Sequence, residues 1–118
     1  RGNRTHRGID FSTIDGQNIV SPIDGRVRNF KGSSTGYPII QIYPSSTNAG
    51  FDYIEILYAG ALDGVKPWTF RNVSAGEIIG ISLNLQGLGY SSNVGPHIHL
   101  QMWHDGTRIN PTPFFFGP

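Results

Sequence analysis

Gly95-Pro96-His97-Ile98-His99-Leu100-Gln101-Met102-Trp103-His104-Asp105-Gly106-Thr107 decides the fold class of this chain. From His97 to Trp103 its residues alternate with the period of an extended strand, in which successive side chains point to opposite faces. Ile98, Leu100 and Met102 form one apolar side suited to a core. His97, His99, Gln101 and Trp103 share the other side, an odd set to place against bulk solvent. His104-Asp105-Gly106-Thr107 reads as a hairpin turn, with a return strand through Ile109. His-x-His on one strand face makes half a metal site. Imidazole is the commonest metal ligand, and a catalytic zinc takes three protein ligands and leaves a fourth position open. The stretch His6-Arg7-Gly8-Ile9-Asp10, far upstream, is the source of the missing ligands, and these two motifs hold three of the four histidines in the chain.

Outward from this strand, almost every segment speaks for more strands. Gly25 to Phe30 follows the turn signal Pro22-Ile23-Asp24-Gly25. Ile39 to Tyr43 and Tyr53 to Tyr58 are short runs rich in β-branched and aromatic residues, separated by the loop Pro44 to Gly50. Glu77 to Ile81 follows the turn Ser74-Ala75-Gly76. No window holds an amphipathic helix, and Gly or Pro interrupts nearly every ten residues. The expectation is a single all-β domain over residues 1–118, built of short antiparallel strands with at most one helical turn.

Composition narrows the function. The chain has 118 residues, a net charge of +1 and no cysteine. That charge leaves no electrostatic footprint for nucleic acid or an anionic membrane, and no apolar run approaches the length of a transmembrane helix. The absence of cysteine excludes a disulfide scaffold and thiolate zinc ligands. The start Arg1-Gly2-Asn3-Arg4 has the look of a mature or trimmed end, not of a signal peptide.

Several segments together carry a family resemblance. They are His6-x3-Asp10, Ser21-Pro22-Ile23-Asp24-Gly25-Arg26-Val27, Ala75-Gly76-Glu77-Ile78-Ile79-Gly80 and Gly95-Pro96-His97-Ile98-His99, with Asp105-Gly106 and Ile109-Asn110-Pro111 behind them. In this order they resemble the lysostaphin/LytM-type zinc metallopeptidases over about residues 6 to 114. The resemblance implies a compact antiparallel β-fold with a groove floored by Zn2+, held by residues matching His6, Asp10 and His99. It makes His97 the match of the catalytic histidine. Members of that family cut peptide cross-links in bacterial peptidoglycan, using zinc to polarise the carbonyl and activate water.

One departure bears on activity. Active members carry a further histidine in a Tyr-x-His context just after the central strand, and in Tyr58-Ala59-Gly60 the glycine stands in its place. Glycine can neither exchange a proton nor donate a side-chain hydrogen bond. The remaining histidine, His104, sits beside the Asp105-Gly106 turn and reads as a solvated turn residue. Zinc ligands without the helper histidine also resemble the chemotaxin-2-like, non-catalytic branch of the superfamily, although its disulfide cysteines are absent here.

Three functions stand open at this point. One is a lectin-like or peptidoglycan-binding recognition domain with weak or no hydrolysis. The second is a working zinc endopeptidase, and the third a secreted signalling protein of the chemotaxin type. Candidate groove residues are Tyr90, Ser91 and Asn93 in the loop before the histidine strand, with Gln101 and Trp103 on it. Low charge and the aromatic set Tyr37, Tyr43, Trp68, Tyr90 and Trp103 suit neutral glycan or peptide chains better than polyanions. The sequons at Asn3 and Asn72 fit a secreted product. The apolar tail Pro113-Phe114-Phe115-Phe116 is suited to docking on the core or on a second copy in a homo-oligomer.

Overall fold

The computed structural model describes residues 8–14, 16–31, 38–61, 66–82 and 97–116. Their elements are, in order, β1 (Ile9–Ser12), β2 (Asn18–Val20), β3 (Gly25–Lys31), β4 (Pro38–Pro44), β5 (Tyr53–Leu57), β6 (Ala59–Ala61), β7 (Lys66–Val73), β8 (Ile78–Ser82), β9 (His97–His104), β10 (Thr107–Ile109) and a short helix α1 (Thr112–Phe116). All the pairings are antiparallel. The larger sheet runs β1-β9-β5-β4-β3-β7, with β10 sharing the β9 edge that β1 occupies further along. The smaller sheet runs β2-β8-β6. The all-β expectation holds, and α1 is the single helical turn among the described residues.

Alternation places the core. Ile40 and Ile42 on β4, Ile54 and Ile56 on β5, and Ile98, Leu100 and Met102 on β9 are buried on one face of the large sheet. Ile19, Ala59 and Ile79 of the small sheet belong to the same apolar cluster, so the two sheets pack through this face. The paired motifs seen in the sequence also meet here. Asp24 accepts a hydrogen bond from the Ala75 N–H at 2.8 Å. The backbone of Ser21 is bonded to both Glu77 and Gly76. The Ser21–Gly25 and Ala75–Glu77 turns therefore brace one another across 51 residues of sequence.

β3 and β9 extend the expected spans by a residue at one end and β4 at both, whereas the expected Glu77–Ile81 shifts by one residue to Ile78–Ser82. The run Tyr53–Tyr58 is shorter than expected: it ends at Leu57, because Tyr58 takes the left-handed conformation with φ 68°. That break turns the chain from the large sheet into β6 of the small one, whose Ala-Gly-Ala sequence has low strand propensity and is held by pairing with β8. β7 was hidden from the sequence reading by Pro67, which marks an edge strand or none at all; β7 ends the large sheet and pairs with β3. At the β9–β10 hairpin, Asp105 and Gly106 both have positive φ, 52° and 78°, as a two-residue type I′ turn requires. Phe114 of α1 packs edge-on against Phe51, at 5.4 Å between ring centres, which docks the start of the apolar tail onto its own domain.

Candidate functional site

The polar face of the large sheet, opposite the core, carries the site. β1 lies along β9 in a register that sets Asp10 directly across from His99 and Ser12 across from His97. Directly opposed residues have Cβ atoms about 4.5–5.5 Å apart, which brings the Asp10 and His99 side chains within reach of each other. His99 Nδ1 lies 2.8 Å from Asp10 Oδ1. The pair stands at the rim, with the Asp10 side chain 65% exposed and that of His99 26%. Gly8 explains why this approach is possible. A β-carbon there would come within 2.4 Å of His99 Cε1 and 2.5 Å of Nε2, so any larger residue would drive the ring out of place.

Behind His99 runs a line of buried polar groups. Its Nε2 lies 3.2 Å from Gln101 Oε1. Gln101 Nε2 donates to Glu55 Oε1 at 2.6 Å, and Trp103 Nε1 donates to the same oxygen at 3.2 Å. Gln41 Nε2 donates to Glu55 Oε2 at 2.9 Å, and Arg28 Nε donates to Gln41 Oε1 at 2.9 Å. Gln41, Glu55 and Gln101 are only 5%, 9% and 7% exposed, so the middle strands are buried on both faces. Buried polar atoms persist where they are paired, and each of these side chains is. A second row lies beside the first. Trp103 stacks on Tyr53 with ring centres 6.1 Å apart and planes 19° apart. Tyr53 lies 5.1 Å from Tyr43, and Tyr43 5.6 Å from Phe70. Arg26 sits over the Phe70 ring at 4.8 Å. Tyr53 has its phenol pKa raised above 10.0, chiefly by burial and next by the Glu55 carboxylate.

Of the residues expected from the sequence, the structure brings together Asp10, His99, Gln101 and Trp103. His97 begins β9, beside Ser12. His6, Tyr90, Ser91 and Asn93 lie outside the described residues. Gly60 lies in β6, three residues beyond Leu57, the β5 partner of His99. The sequence reading missed Gly8, Glu55, Gln41 and Arg108. Gly8 carried a signal, lying midway between His6 and Asp10, whereas Glu55 and Gln41 look like ordinary alternating positions. His104 lies within 3.4 Å of both Asp52 and Asp105, in an exposed trio at the turn. Five residues of strand, about 17 Å, separate it from His99.

An imidazole and a carboxylate side by side suit a borderline cation such as zinc, and the ring's other nitrogen has the polar partner that ligating histidines ordinarily have. The fold is a two-sheet antiparallel scaffold with this pair at its rim. Residues 4–111 match the model of peptidase family M23, and the chain belongs to that family. Among solved structures it is similar to LytU, with 31% identity and a TM-score of 0.70 over 92% of this chain and 71% of that one. It is also similar to the antimicrobial peptidase lysostaphin from Staphylococcus simulans, with 26% identity and a TM-score of 0.67 over 94% of this chain and 44% of that one. The catalytic domain of the prophage-encoded M23 protein EnpA from Enterococcus faecalis shares the fold, with 20% identity and a TM-score of 0.63 over 96% of this chain and 79% of that one. A Haemophilus influenzae protein described as an uncharacterized metalloprotease is 28% identical over 110 residues, 92% of this chain. The chain spans only 20% of that relative's length.

Proposed function

We propose that residues 1–118 form a single extracellular, zinc-binding recognition domain on a peptidase scaffold, which binds peptidoglycan or a related glycan and hydrolyses it weakly or not at all. The observation that carries the reading is Gly60. The family match supplies the scaffold, and Asp10 and His99 supply two metal ligands in contact, with His6 as the third. The position expected to hold a second proton-handling histidine is a glycine in β6. Zinc held there would supply Lewis acidity toward a carbonyl. Of the protein's own groups, His97 is left as the acid–base residue. A positioned acid–base group contributes roughly 10²–10⁴-fold to rate, so its loss removes about 3–5 kcal/mol of transition-state stabilisation. Binding does not depend on that side chain. The row Trp103, Tyr53 and Tyr43 offers stacking surface to the apolar faces of sugars or to peptide side chains, and Gln101 lies at its foot.

A second reading, a working endopeptidase acting on peptidoglycan peptides, is favoured by the 26% identity to the antimicrobial peptidase lysostaphin over most of the chain. Purified cell walls separate the two. The recognition domain co-sediments with walls and leaves their turbidity unchanged, and Gly60→His gains hydrolysis. Robust lysis by the unmodified protein, sensitive to chelator and abolished by His97→Ala, would restore the peptidase. Binding to a receptor ectodomain without any binding to walls or glycans would favour the chemotaxin-like alternative. Metal analysis of the wild type and of His99→Ala tests the ligand set: equal, sub-stoichiometric zinc in both rules it out.

A further inference from the structure

We propose that Gln101 and Glu55 are positioning residues that fix the tautomer of His99, so that its Nδ1 is presented to Asp10 as a bare lone pair ready for a metal ion. This inference rests on the proposed ligand role of His99, but its first test does not require metal. The argument begins with the orientation of the Gln101 amide, whose oxygen and nitrogen ends only their partners can distinguish. Both ends have partners of fixed character. On one side is Glu55 Oε1, which also accepts the indole N–H of Trp103, a group that can only donate. The Gln101 end facing that oxygen at 2.6 Å is therefore the NH2. On the other side is Arg108 Nη1, again a pure donor, at 3.3 Å. The end facing Arg108 is therefore the carbonyl oxygen. The two assignments are independent and agree.

The same oxygen faces His99 Nε2 at 3.2 Å. An amide oxygen can only accept, so Nε2 must carry a proton. In a neutral imidazole the other nitrogen is then unprotonated, and here it points at Asp10 Oδ1 at 2.8 Å. Two lone pairs at that distance repel unless a proton or a metal ion lies between them, and a metal ligand pair is the arrangement in which the metal takes that place. Ligating histidines ordinarily donate their second ring N–H to a partner that sets tautomer and orientation. In this chain the partner is an amide locked by a buried carboxylate, not a carboxylate itself. Glu55 Oε1 is held by Gln101 and Trp103, while its Oε2 accepts from Gln41, whose own oxygen accepts from Arg28 and from the Tyr43 hydroxyl. Both glutamines thus turn their NH2 groups inward to Glu55 and their oxygens outward to donors.

The test combines nuclear magnetic resonance with metal titration. Long-range ¹H–¹⁵N correlation on the metal-free protein at neutral pH should show neutral His99 as the Nε2–H tautomer. In Gln101→Leu and in Glu55→Gln that preference should fall to a mixture. Zinc affinity, measured by chelator competition, should fall about 10–100-fold, as for other outer partners of a ligating histidine. Gln41→Leu is the control, because it removes the Oε2 partner and leaves Oε1 with both its donors. It should lower the melting temperature without moving the tautomer. An Nδ1–H tautomer in the wild type overturns the proposal whether or not any variant folds. Unchanged tautomer and zinc affinity in a folded Gln101→Leu also overturn it. If the wild type binds no zinc but shows the Nε2–H tautomer lost in Gln101→Leu, the metal-site reading fails and the positioning role stands.

Discussion

Replacing Gly8 by alanine (Gly8→Ala) sets a methyl carbon 2.4 Å from His99 Cε1 and 2.5 Å from Nε2. Non-bonded carbons rest at about 3.5–4.0 Å, so one partner must move by about 1 Å or more. The methyl cannot retreat freely, because the Leu100 carbonyl oxygen stands 3.2 Å away on the adjoining strand. The ring therefore moves, and its two contacts leave little room: 2.8 Å to Asp10 and 3.2 Å to Gln101. A 3.2 Å hydrogen bond stretched by about 1 Å has passed the useful limit. Overpacking of this kind costs about 1–3 kcal/mol, which in a domain of this size lowers the melting temperature by about 3–15 °C. Zinc affinity should fall about 10–100-fold, since the ring loses both its place and its outer partner. Thermal unfolding of the metal-free protein reads the first effect, and chelator competition reads the second. A Gly8→Ala protein with wild-type melting temperature and wild-type zinc affinity would refute the packing argument and the placement of the site with it.

Zinc at 100 times its dissociation constant should stabilise the wild type by about 2.7 kcal/mol and His99→Ala by much less, read as the shift in denaturant midpoint with and without metal. Ile54→Ala, in the centre of the sheet interface, should cost about 2–5 kcal/mol by the same assay, because the site is fully enclosed. Tyr53 holds its phenolic proton more tightly when folded than when unfolded, since burial and Glu55 raise its pKa. Its contribution to stability is therefore complete below pH ~10 and is lost as pH rises through the folded-state value. Unfolding measured from pH 9 to 11 should show a steeper alkaline loss in the wild type than in Tyr53→Phe.

The sequence by itself determined the strand period of His97–Trp103, the apolar side formed by Ile98, Leu100 and Met102, the hairpin at Asp105-Gly106 and the antiparallel all-β class. These follow from local rules: alternation, turn chemistry and the absence of helical periodicity. It also named Asp10 and His99 as partners, but through family resemblance, since nothing local ties residues 89 positions apart. Only the tertiary structure decided that β1 lies against β9 in the register that brings them face to face. It alone showed that Tyr58 turns the chain between sheets, so that Gly60 belongs to the small one. The polar line was equally invisible beforehand. Gln41 and Glu55 occupy strand positions that read as ordinary alternating ones, and with Gln101 they are buried because each supplies what its neighbour across the sheet requires. Alternation fixes which face a side chain takes, whereas the partner it meets there is set by register between strands distant in sequence.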